Sequence, residues 1–153
     1  MSVVALCMGC GGGQFGAYGP GREIHFASTW GADELPVVEA AAQEWHVGWT
    51  SVVVDSCDGV HICVIPSDAP MPASPPFSVG STYQDTLVSE IYRARIYALG
   101  RPDWLRVVVM HELGHQLSGS AMHLPAGNVM AASVNTQPAA LTASDFAYAG
   151  VKP

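Results

Sequence analysis

Residues His111-Glu-Leu-Gly-His115-Gln-Leu-Ser-Gly-Ser-Ala-Met-His123, followed by Asn128-Val129-Met130, decide how the rest of the chain is read. On an α-helix, residues four apart lie about 40° apart around the axis and about 6 Å along it. His111 and His115 can then aim two imidazole nitrogens at one point, at the about 2.0–2.1 Å that Zn2+ prefers. Glu112 sits beside the first ligand, placed to take a proton from a metal-bound water rather than to bind the metal. A catalytic zinc needs a third protein ligand. Ser118-Gly119-Ser120 should end the helix, and a sharp turn at Gly119 would return His123 to the metal.

The segment resembles the metzincin clan of zinc endopeptidases, whose H-E-x-x-H-x-x-G-x-x-H pattern precedes a Met-turn. His111, Glu112, His115 and Met130 match it. Ser118 stands where the family has glycine, Gly119 follows one place late, and His123 is displaced by two. The resemblance implies that Met130 packs beneath the metal and that Leu141–Tyr148 begins a matrixin-like C-terminal helix. The fold it implies is α+β and zincin-like: a mixed twisted sheet backed by a long helix, the active-site helix, then the Met-turn and C-terminal helix. Asp145 is a rival third ligand, because with Tyr148 and Gly150 it resembles the aspartate-ligand zincins. Its other reading is a cap at the start of the last helix.

Outward from this stretch, Gly100-Arg-Pro102-Asp103 breaks the chain and starts the active-site helix. Thr86–Tyr97 reads as a strand, with Arg93 and Arg95 on an exposed edge. The family resemblance puts that strand along the cleft, where an extended peptide would pair with it. Pro66–Pro76 is a proline-rich loop. Thr50–Asp55 and His61–Pro66 read as a hairpin about Asp58-Gly59, with Cys57 and Cys63 spaced for a short disulfide loop. Asp33-Glu-Leu-Pro36 opens a helix in which Val37, Val38, Ala41, Ala42 and Trp45 follow at helical spacing. Arg22–Ser28 alternates polar and apolar residues as a first strand. His25, His46 and His61 read as ordinary surface or packed histidines, and residues 131–141 as a Pro-containing loop, which the family resemblance implies shapes the substrate pocket.

At 153 residues the chain is long enough to bury about two-thirds of its unfolded surface in one domain. Only 12% of residues are charged, and the net charge of −7 includes six basic residues without a cluster. Nucleic-acid binding is not expected. No segment has the about 20 apolar residues of a membrane span. Residues 1–21 read as an exported, lipoprotein-like leader and Gly-rich linker, in which Cys10 would carry the lipid, and 22–153 as the catalytic domain. Cys7 and Cys10 lack a second pair for a four-thiolate zinc site, and a reach from this arm into the cleft is the remote alternative.

The expectation is therefore a secreted or cell-envelope zinc metalloendopeptidase, acting as a monomer on peptide or protein substrates. Glu112 would be catalytic, and His111, His115 and His123 would hold Zn2+. The alternatives are a zincin-fold peptide-binding module with weak or no catalysis, and a non-proteolytic zinc amidase.

Overall fold

The sheet runs from edge to edge through residues 50–54, 23–27, 62–66, 88–91 and 80–83, and three of its four pairings are parallel. This computed structural model describes residues 22–73, 78–133 and 137–153. The leader, with Cys7 and Cys10, lies outside the described residues. The strands are β1 (Glu23–Ala27), β2 (Thr50–Val54), β3 (Ile62–Pro66), β4 (Gly80–Tyr83) and β5 (Val88–Ile91). Four helices, α1 (Leu35–Gln43), α2 (Arg93–Ala98), α3 (Trp104–Ser118) and α4 (Ala143–Ala149), complete an α+β architecture. No described helix is long and apolar enough to cross a membrane.

Parallel pairing changes the expected topology. β2 and β3 do not form a hairpin: each pairs in parallel with β1, which lies between them. Asp58-Gly59 still makes a turn, with Gly59 at φ 72° and Asp58 Oδ1 accepting the Val60 and His61 N–H groups. The turn belongs to a return path between parallel strands, and a turn dipeptide says nothing about which strand follows. The Cys57–Cys63 disulfide closes this return as expected. β1, with strands on both sides, buries four successive residues rather than every second one.

The expected strand over 86–97 is two elements. β5 ends at Ile91, and Arg93 and Arg95 stand on α2 rather than on a sheet edge. Arg93 pairs with Glu34 (2.9 Å) and Asp68 (2.7 Å) and donates to Thr29 O. Arg95 donates to Pro70 O and Ser78 O and lies over the Tyr92 ring. Both arginines therefore fasten the proline-rich loop instead of blunting an edge. The antiparallel edge strand is β4, whose Gly-Ser-Thr-Tyr has no hydrophobic alternation to announce it.

α1 is short, at nine residues, and α3, with 15, is the longest helix. Glu34 anchors the start of α1, accepting from Gly31 N–H, Arg93 and the Tyr97 hydroxyl. Burial raises its pKa, but those three donors together hold it below the usual carboxylate value. α3 packs against α1, α4, β4 and β5, so nearly its whole circumference is buried. Trp45, just past α1, is fully buried and donates its indole N–H to Met110 O at 3.1 Å.

Candidate metal centre

α3 carries His111, Glu112 and His115 into a cleft of about 1030 Å³ that also reaches Gly80, Thr82 and His123. The helix stops at Gly119, which adopts the left-handed φ of 62° and donates to His115 O. The chain then folds back. Ring centroids of His123 lie 5.2 Å from His111 and 5.0 Å from His115. One ligand nitrogen from each of the three histidines lies within 4.8 Å of the others. Leu124 N–H donates to Met130 O at 2.8 Å, tying the returning chain to the Asn128-Val-Met130 turn.

What each imidazole does with its other nitrogen decides what this cluster can hold. His111 Nδ1 lies 2.8 Å from Val129 O, and His115 Nδ1 lies 2.7 Å from Ser120 O. A carbonyl only accepts, so both Nδ1 atoms carry the proton and both Nε2 atoms present a lone pair. Those two Nε2 atoms are 3.0 Å apart. Burial first, and then the neighbouring histidines, disfavour a proton between them. His111 is pushed down to about 4, first by burial, and burial likewise lowers His115 and His123. Converging neutral imidazole lone pairs with their rear N–H groups held by carbonyls suit a divalent cation. The three histidines could hold a metal ion.

Glu112 is buried against β4. Thr82 Oγ1 lies 2.7 Å from Glu112 Oε2 and 2.9 Å from Glu112 O. Burial pushes the carboxyl up to about 7, and the Thr82 hydrogen bond only partly opposes this. Gly80 is required here, because a Cβ would come within 2.5 Å of Glu112 Oε1. Gly114 has the same role on the opposite side. A Cβ there would run into Met130 Sδ and reach within 2.9 Å of Trp45.

Asp145 does not stand with the imidazoles. Its oxygens accept the N–H groups of Val129 (3.1 Å), Met130 (2.9 Å) and Thr142 (2.8 Å), and the Thr142 hydroxyl closes a capping box. The cap reading of this residue is the one the structure carries. Because Val129 O holds His111, Asp145 steadies a ligand through the turn it pins. The Tyr148 hydroxyl lies 3.0 Å from Ser120 O and 2.6 Å from Met122 O, bracing the loop that presents His123.

Sequence reasoning missed Gly80 and Thr82, although their spacing of two puts them on one face of β4, and it missed Gln84 in the turn just past that strand. Gln84 donates to His115 O at 3.0 Å. It also missed Tyr148 as a brace, and Gln137, whose amide Nε2 lies 2.9 Å from His111 Nδ1 and 2.8 Å from Ala131 O. Of the loop 131–141, residues 134–136 lie outside the described residues. Its Ala132, Ser133 and Gln137 line the cleft. No protein-family model, no curated protein and no solved structure matches this chain.

Proposed function

We propose that this chain is a zincin-like, zinc-dependent endopeptidase of the metzincin type, with His111, His115 and His123 as ligands and Glu112 as general base. The observation that carries the reading is the pair of buried Nε2 lone pairs 3.0 Å apart, both rear nitrogens already committed, with His123 beside them. When bound, zinc lowers the pKa of a coordinated water to about 7 and polarises a carbonyl.

The chain's own residues do the rest. The Glu112 carboxylate accepts the proton of the attacking water and returns it to the leaving amine. Thr82 holds Glu112 Oε2, which fixes the carboxylate plane, and the absent side chain at Gly80 leaves room for it. Among the described residues β4 has a strand partner only in β5, so its other edge can take an extended peptide by backbone pairing. Leu99, Trp104 and Val108 line the same cleft and suit an apolar substrate side chain. The Cys57–Cys63 disulfide supports an exported protein, since such bonds persist in oxidising compartments.

The test is metal content and cleavage of a peptide library by wild type, Glu112→Ala and His115→Ala. Expected are bound zinc and cleavage in wild type, and retained zinc with cleavage reduced about 1,000-fold in Glu112→Ala. His115→Ala should lose cleavage and the zinc of this centre. Undiminished cleavage by Glu112→Ala removes the proposed base. Zinc-dependent peptide binding without cleavage in wild type selects the binding module instead.

A further inference from the structure

A second cluster lies at His25 and His61, whose positions 36 residues apart do not suggest that they meet. His25 sits on β1 in register with Cys63 of β3, and His61 sits inside the loop that the Cys57–Cys63 disulfide closes. Their rings are 4.5 Å apart and tilted by 31°. Glu23, His25 and His61 each bring one ligand atom within 4.8 Å of the others.

Each imidazole already has one nitrogen on a carboxylate. His25 Nε2 lies 3.2 Å from Glu23 Oε2, and His61 Nδ1 lies 2.7 Å from Asp58 Oδ2. The His25 ring is more than nine-tenths buried, yet its Nδ1 has no hydrogen-bond partner among the described residues. The nearest charged atom is Asp58 Oδ2 at 3.9 Å, too far for a hydrogen bond. A buried imidazole nitrogen without a partner costs free energy, and a metal ion bound at Nδ1 removes that cost while Nε2 stays on Glu23.

We propose that His25 and His61, with Asp58 beside them and Glu23 behind the His25 ring, form a second metal site, for a divalent ion of the zinc class. Two imidazoles with carboxylate select zinc, cobalt, nickel or copper over calcium and magnesium. Asp58 also accepts the Val60 and His61 N–H groups, so it fixes the loop and the orientation of His61 together. The disulfide holds that loop against β3, and the ion would tie it to β1. This inference stands apart from the α3 cluster and does not rest on the proposed peptidase activity.

The experiment is calorimetric titration of the whole chain with Zn2+ alone, in wild type, His115→Ala, His61→Ala and the double variant. If both clusters bind, wild type takes two equivalents, and His115→Ala and His61→Ala one each. If only this cluster binds, wild type takes one equivalent, lost in His61→Ala and kept in His115→Ala. Either pattern supports the site, with affinity for the affected equivalent weakened about 100-fold or more, beyond the loss of an outer partner. His61 is partly exposed, so His61→Ala should keep the wild-type circular dichroism spectrum, and its comparison with wild type suffices if His115→Ala does not fold. Zinc binding that is the same in wild type and His61→Ala overturns the proposal, as does no binding in either.

Discussion

The two histidine clusters differ in what stands behind each ring. On α3 the rear nitrogens of His111 and His115 meet backbone carbonyls, whereas at the β1 cluster one nitrogen of each ring meets a carboxylate. A carbonyl fixes the tautomer without adding a full charge, which leaves a bound ion strongly electrophilic. Carboxylates neutralise the ion and favour a structural role. Placement points the same way. The α3 cluster opens into a large cleft beside a buried carboxyl, while the β1 cluster sits at a disulfide-closed crossover. Histidine clusters of similar composition thus acquire different chemistry from the groups one bond further out.

The first way to break this comparison is Asp145→Asn. The turn that offers Val129 O to His111 hangs on Asp145, so its amide replacement should cost about 3 kcal/mol of stability. Thermal unfolding checks that, and zinc stoichiometry should stay unchanged because Asp145 is not a ligand. Zinc lost in a folded Asp145→Asn protein would turn the contrast around and make the carboxylate part of the centre.

A smaller effect is expected from opening the Cys57–Cys63 loop. The bridge spans a sequence separation of 6, and the chain-entropy relation gives about 2 kcal/mol for so short a loop. Unfolding with and without a phosphine reductant measures it. Peptide cleavage at α3 should persist under reduction, and its disappearance would show that the two regions are not independent. The smallest effect is Tyr148→Phe, which removes the hydroxyl bracing Ser120 O and Met122 O. It should cost about 1 kcal/mol and weaken zinc at the α3 centre about tenfold. Unchanged affinity would mean that the 119–123 loop holds its shape without the brace.

What could be read from the sequence was mostly local. The start of α3 after Pro102-Asp103, its stop at Gly119, the start of α4 and the Cys57–Cys63 pairing all rest on signals a few residues long. The pairing of β1 with both β2 and β3 rests on contacts between distant segments, and Asp58-Gly59 marked a turn without naming its partner strands. β4 was missed because Gly-Ser-Thr-Tyr faces a helix with polar side chains, and its value lies in what those side chains touch. α2 was read as strand because Arg93, Arg95 and their apolar neighbours alternate over too few residues to separate the two periods. The three imidazoles were found from their spacing and motif. The carbonyls behind two of them could be seen only once the chain had folded back.

The capping carboxylate of α4 also sets a schedule. His115 leaves the ribosome some thirty residues ahead of Asp145, a lag of about 2–6 s at 5–20 residues per second. During that interval the helix with its imidazoles and Glu112 exists, while the Val129–Met130 turn has nothing to hang from. Closing of the histidine cluster is thereby deferred until α4 docks, so a nascent chain carries its imidazoles before the turn that orients His111 is fixed.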